Sequence, residues 1–263
     1  MKRIHFTNSY LLNPQHPVTV NIVGAGGTGC RVLSHLAALD KTLRALGHPG
    51  LFVSVYDPDT VTEANLGRQL FSETEVGVNK AVCMVSRINN FFGYDWRAVA
   101  TRFPQHVKDA SNDDLANITL TCTDNVKSRL DMWEFLKSVR DIRGNRPYSK
   151  SLYWMDFGNT KTTGQVILGT VPVDMEQPVS KKFKAVGNLK PITEYVNYAA
   201  VKVRDSGPSC SQAEALEKQD LYINSALAVF GCDILWKMFR HGMIEYRGVF
   251  MNLDTLITNH VTV

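Results

Sequence analysis

A short β-branched run, Val18-Thr19-Val20-Asn21-Ile22-Val23, feeds directly into Gly24-Ala25-Gly26-Gly27-Thr28-Gly29. An apolar series at helical spacing follows: Val32, Leu33, Leu36, Leu39, Leu43 and Leu46. No other feature narrows the fold as much. The period predicts a helix that starts in the glycine loop and stops at Gly47-His48-Pro49-Gly50. Leu51 to Asp57 (LFVSVYD) then reads as a second buried strand. Strand, helix and strand form a βαβ unit, which implies a parallel sheet with right-handed crossovers. In such a unit the backbone N–H groups of the loop and the positive end of the helix face an anionic phosphate. Gly24, Gly26, Gly27 and Gly29 are therefore candidate nucleotide-binding positions, and Asp57 is placed to accept hydrogen bonds from a ribose. The loop also satisfies GxGxxG, so on these residues alone NAD and FAD stay as open as ATP.

Downstream, Asn79 to Phe92 carries Val82, Val85, Ile88 and Phe92 on one helical face. Strands are expected at 96–103 and 118–124, and a helix from Val126 to Arg140. Residues 151–158 and 163–171 read as a hairpin. From about 174 to 211 periodicity lapses amid Pro178, Pro191, Pro208 and the cluster Lys181-Lys182-Phe183-Lys184, which predicts a mobile crossover loop. A long helix is expected from Ser211 to His241, then two short strands separated by an Asp-Thr turn. The fold class is thus α/β: a Rossmann-like, mostly parallel sheet flanked by helices, with an antiparallel C-terminal extension. A single domain over 1–263 is expected.

Composition excludes several classes. The net charge of +4 comes from interspersed Lys, Arg, Asp and Glu with no basic block, so no nucleic-acid partner is indicated. The five cysteines are scattered without a CxxC pair, so neither a structural zinc site nor a disulfide framework is expected. That usage fits a reducing cytoplasm. Asn13-Pro14-Gln15-His16-Pro17 interrupts any signal-peptide core, and Ala226 to Phe239 is too short and too charged to span a membrane.

The stretch after the second strand discriminates among nucleotides. Asp57-Pro58-Asp59-Thr60-Val61-Thr62-Glu63-Ala64-Asn65-Leu66-Gly67-Arg68-Gln69 resembles the DxDxVxxxNLxRQ signature of the E1-like family, which includes ThiF, MoeB and the ubiquitin-activating enzymes. Gly77-Val78-Asn79-Lys80-Ala81 matches the family's lysine on the next helix. Thr123-Asp124-Asn125, with Arg129 beyond, matches its TDN motif. The resemblance runs from about Val18 to Leu168 and more loosely through the final helix and strands.

It implies an adenylyltransferase that uses ATP and Mg²⁺ to activate the C-terminal carboxylate of a small ubiquitin-like protein. When a carboxylate attacks the α-phosphate of ATP, negative charge builds on phosphoryl oxygens and leaving pyrophosphate, and fixed cations stabilise it. By this resemblance Arg68 and Lys80 supply the cations, Asp124 holds Mg²⁺, and Asn65 binds phosphate or orients Arg68. Taken singly, Arg68 and Lys80 would be solvated surface charges, and Asp124-Asn125 a helix N-cap contributing about 1 kcal/mol. The ordered set is what favours the chemical reading. Glu63 is read as a surface residue.

E1 relatives that go beyond adenylation carry a nucleophilic cysteine in the crossover. Cys210 in Gly207-Pro208-Ser209-Cys210-Ser211 occupies that place, and a helix start there would lower its pKa and favour the thiolate. Cys30, Cys83, Cys122 and Cys232 are expected as packed hydrophobes, and His106, His241 and His260 as surface or capping groups. The CxxC pairs of ThiF and MoeB and the N-terminal arginine motif of MoeB-like proteins are missing. The pattern from Asp156-Phe157-Gly158-Asn159 through Pro208-Ser209-Cys210-Ser211 to Gln219-Asp220 and Asn224 is most similar to one subgroup, the ThiF-related proteins of the PRTRC cassette. The resemblance implies a homodimer and hand-over to an E2-like or sulfur-transfer partner. The competing readings are an NAD- or FAD-dependent oxidoreductase, which the glycine loop and Asp57 alone would support, and an inactive E1-like scaffold.

Overall fold

The computed structural model describes residues 1–104, 106, 109–140, 150–172, 175–196, 198 and 219–263. Eight strands form the central sheet in the order β11 (Ile257–Thr262), β10 (Tyr246–Asn252), β7 (Thr163–Thr170), β6 (Tyr153–Asn159), β5 (Ile118–Thr121), β2 (Val18–Val23), β3 (Leu51–Tyr56) and β4 (Arg97–Val99). From β6 to β4 all pairs are parallel, with Val20 opposite both Val53 and Ile118. The hairpin β6–β7 and the β7–β10–β11 pairs are antiparallel. The chain is therefore mixed α/β, with a mostly parallel sheet and an antiparallel C-terminal strand set.

Alternation along the strands divides the core between the two faces. Val20, Ile22, Ile118, Leu120, Met155 and Phe157 pack with α2 (Gly27–Ala45), α3 (Lys80–Phe92) and α6 (Ile223–His241). Tyr56, Trp154 and Ile167 face the other way, with α4 (Val126–Arg140) and α5 (Ile192–Tyr195). There Trp133 and Trp154 stack with ring centroids 5.7 Å apart. Such near-continuous apolar strands are what a sheet covered on both faces requires.

Strand order reverses at β2. The chain moves outward from β2 to β3 and β4 on one side, then resumes at β5 on the other. The chain leaving β2 runs to α2 on one face of the sheet and the chain leaving β5 runs to α4 on the other, opening a crevice at the strand C-termini where ligands bind in open α/β sheets.

Three expectations change. The strand expected at 96–103 is only Arg97–Val99, an edge strand pairing with β3 alone. The segment 174–211 is not one featureless crossover: β8 (Phe183–Ala185) and α5 lie within it. β8 joins β1 (Lys2–Phe6) and β9 (Met243–Ile244) in a small second sheet of order β8-β1-β9. The helix expected over Ser211 to His241 is not continuous: its described part runs from Ile223 to His241, and Gln219 to Tyr222 turn, with Asp220 accepting from the Tyr222 N–H at 2.8 Å while its own N–H donates to Lys161 O at 2.8 Å. Among the described residues no helix is long and apolar enough to cross a membrane.

Candidate functional site

The glycine loop is shaped by two close approaches. Gly24 has φ +98°, and a Cβ there would lie 3.0 Å from Cys122 O, so the β2 and β5 loops touch at this point. A Cβ on Gly29 would lie 1.9 Å from Gly24 O, which makes Gly29 the residue that lets α2 start against the strand end. At Gly26, by contrast, a Cβ would meet nothing within 4 Å. The loop is tight behind and open in front.

That open side is a cavity of about 350 Å³. Gly24, Gly26, Gly27, Asp57, Arg68, Lys80 and Asp124 all line it, so seven of the expected positions from four sequence regions share one wall. Gly29 and Asn65 do not line it. Asn65 is buried, and its Oδ1 accepts from Thr62 N at 2.9 Å and Thr62 Oγ1 at 3.1 Å, closing the 3₁₀ turn Glu63–Asn65 on which Arg68 follows. Glu63 is exposed, as expected.

Asp57, at the end of β3, is buried. Its Oδ2 accepts from Ala25 N at 2.6 Å and its Oδ1 from Asp59 N at 2.8 Å. Burial raises its pKa above the usual carboxylate value, opposed by those two N–H groups and the nearby Lys80 charge. Each oxygen keeps a second lone pair for a further donor. Asn79 caps α3 by accepting from Val82 N at 3.1 Å, which puts Lys80 on the first turn. Lys80 is 8% exposed, and its Nζ lies 3.3 Å from Asp59 Oδ2, the side chain of which is 66% exposed. Arg68 is half-buried. Burial lowers its pKa more than the Asp124 charge raises it, and Nη1 donates to Gln219 Oε1 at 2.6 Å.

The TDN segment divides its two roles between neighbours. Asn125 Oδ1 accepts from Ser128 N at 2.8 Å and so caps α4. Asp124 is exposed on the cavity wall. Under both, Arg129 donates to the carbonyls of Thr123, Asn125 and Phe157 at 2.7, 3.2 and 2.9 Å and pairs with buried Asp156. Sequence reasoning placed Arg129 in the motif and gave it no task. It is the residue that sets this loop.

Gln219 and Asn224, which the subgroup pattern named without a task, also line the cavity, and Arg31, which was missed, donates to the carbonyls of Gly27 and Arg68 at 3.1 and 3.0 Å. The only sequence signal of Arg31 was its position one turn into α2. Cys210 and the start expected for its helix lie outside the described residues. Cys30, Cys83 and Cys232 are buried and Cys122 partly so, and burial raises the pKa of all four thiols. His241 and His260 are exposed, but His5 is fully buried between Val186 O at 2.6 Å and Tyr153 Oη at 2.9 Å. Among the described residues no group of three or more His, Cys, Asp or Glu could by itself hold a metal ion.

The ThiF family profile matches residues 15–253. Over 71 residues, 27% of this chain, the sequence is 42% identical to the Nedd8-activating enzyme E1 catalytic subunit of Drosophila melanogaster, 14% of whose length is covered. In fold, the chain is similar to E. coli MccB (TM-score 0.58, 15% identity, 96% of this chain and 63% of MccB). It is similar also to PaaA (TM-score 0.59, 12% identity, 94% and 64%) and to MccB solved with ATP (TM-score 0.56, 15% identity, 96% and 64%). This chain thus spans less than two thirds of the length of each of these solved structures and a small part of the curated relative.

Proposed function

This chain belongs to the ThiF family, and from that membership we propose that it uses ATP to adenylate a C-terminal carboxylate, that of a small ubiquitin-like protein, with release of pyrophosphate. One observation carries the reading: Arg68, Lys80 and Asp124, distant in sequence, line the same 350 Å³ cavity as the glycine loop. Hydride transfer calls for no such pair of cations beside a lone carboxylate.

A carboxylate oxygen of the partner attacks the α-phosphorus, a new P–O bond forms, and the bond to the bridging oxygen breaks with its electrons leaving on pyrophosphate. The open face at Gly26 and the N–H groups beginning α2 receive the phosphates. Asp57, fixed by two backbone donors, turns its remaining lone pairs to the ribose. Lys80 and Arg68 meet charge that grows as the reaction proceeds. Their half-dry setting makes each worth more than in water. Mg²⁺ takes one or two carboxylates and completes its shell with phosphate and water, so the exposed Asp124 suits it and the ion would neutralise phosphate charge there. The ATP bound in a solved MccB structure of similar fold supports ATP over a dinucleotide.

In a second step, the Cys210 thiolate attacks the acyl-adenylate, forming a thioester and releasing AMP, for transfer to an E2-like or sulfur-accepting partner. The chain works as a homodimer of one adenylation domain per copy, in a reducing cytoplasm that suits its free thiols. The subgroup pattern points to a protein encoded in the same PRTRC cassette as substrate.

ATP–pyrophosphate exchange with candidate small proteins tests the scheme. Exchange should vanish in Asp124→Ala and persist in Cys210→Ala, which loses only the thiol-sensitive covalent adduct. Wild-type exchange in Asp124→Ala would overturn the role of that carboxylate.

A further inference from the structure

Gln219 Oε1 is an acceptor lodged between two donors, Arg68 Nη1 at 2.6 Å and Asn224 Nδ2 at 3.0 Å. All three side chains line the cavity. Asn224 is 1% exposed and lies against the beginning of α2, where a Cβ on Gly27 would come within 2.6 Å of its Nδ2. Its Oδ1 accepts from Thr28 Oγ1 at 2.7 Å and from Asn159 Nδ2 at 3.5 Å, which fixes the amide with Nδ2 directed at Gln219. The Arg68 backbone is held as firmly: Arg31 Nη1 donates to its carbonyl at 3.0 Å, and Arg31 Nε donates to Ser225 Oγ at 2.5 Å. The two donors are therefore anchored from behind, and only the acceptor between them comes from the turn that precedes α6. Among the described residues Arg68 Nε is also buried without a hydrogen-bond partner, so the guanidinium keeps donor capacity that one amide oxygen does not fill.

A guanidinium and a primary amide N–H converging beside a helix start are the surroundings of a phosphate oxygen, and an acceptor-only oxygen, that of Gln219, stands at their meeting point. Resting on the reading of this cavity as an ATP site, we propose that Asn224 is a phosphate-binding residue and that Gln219 occupies the phosphate's place until ATP displaces it. A charged phosphate oxygen binds Arg68 more strongly than a neutral amide oxygen does, so the exchange runs toward ATP. Displacement also frees the turn at 219–222, coupling occupancy of the nucleotide site to the chain entering α6.

Calorimetric titration of ATP into the full chain tests this. Gln219→Ala should bind ATP about tenfold more tightly, having lost an internal competitor for a charged donor. Gln219→Glu, the carboxylate of which would hold Arg68, should bind at least about tenfold more weakly. Asn224→Asp should also weaken binding by about tenfold or more, through loss of a donor and like-charge repulsion. In the wild type, ATP should speed amide hydrogen exchange at 219–222. Gln219→Ala binding no tighter than wild type, or Asn224→Asp binding as wild type does, would overturn the proposal. A wild-type chain that binds no ATP brings down the functional reading itself, and this inference with it. Normal wild-type binding with unresponsive variants brings down only the inference.

Discussion

Arg129 Nε lies 2.9 Å from Asp156 Oδ2, a buried ion pair directly beneath the loop that carries Asp124. Asp156 Oδ1 also accepts from Thr121 Oγ1 at 2.6 Å, so the pair binds the end of β5 to β6. An exposed carboxylate thus has its place set by two charges that water does not reach. Breaking a buried pair by removing one partner leaves the other uncompensated, at a cost of about 3–5 kcal/mol. Arg129→Met should lose that much in urea denaturation and bind ATP more weakly, since the Thr123 and Asn125 carbonyls lose their donor.

Gly26 and Gly29 should separate binding from folding. Gly26→Ala places a methyl in open space, so its stability should stay within about 0.5 kcal/mol of wild type while ATP binding falls. In Gly29→Ala the methyl meets the Gly24 carbonyl, and overpacking of this kind costs about 1–3 kcal/mol or more. Thermal melts with and without ATP distinguish the two.

Arg68→Ala should lower the adenylation rate by roughly 10² to 10³ with a smaller change in KM, because the charge it meets is largest in the transition state. Arg68→Lys should recover only part of the loss. An ammonium keeps the charge but not the planar fork that meets phosphate oxygens. Steady-state exchange kinetics on the folded variants measure both.

Stability should fall in mild acid. Burial holds His5 below the ordinary imidazole pKa of 6.5, and His35 shifts the same way. The unfolded chain then takes up protons more readily than the folded one, so stability is complete above about pH 6.5 and declines as pH drops below it. Urea midpoints between about pH 5 and pH 8 should show that slope, and His5→Gln should reduce it.

The parallel half of the fold was legible because each strand is an apolar run next to a turn signal and each helix repeats over several turns, as with Val20, Ile22 and Leu33. The small sheet was not: β8 and β9 have three and two residues, too few to display any period, and their partner β1 lies far away in sequence. The break before α6 was not legible because Asp220 holds a turn through a side-chain bond that apolar spacing does not record. Arg68, Lys80 and Asp124, which line one cavity, could be grouped from sequence because four motifs occur in a fixed order. Gln219 and Asn224 touch Arg68, Thr28 and Gly27, partners brought to them only by folding, so the sequence pattern that named them could give them no task.

α5, with Ile192 in the core, and Asp220, bonded to the Lys161 carbonyl before α6, give the chain two fixed posts. Closing a longer loop between fixed posts is inexpensive, about 0.6 kcal/mol for each doubling in length. Adding or removing residues between those posts should therefore change the stability of the nucleotide half by little, a difference that urea denaturation would read.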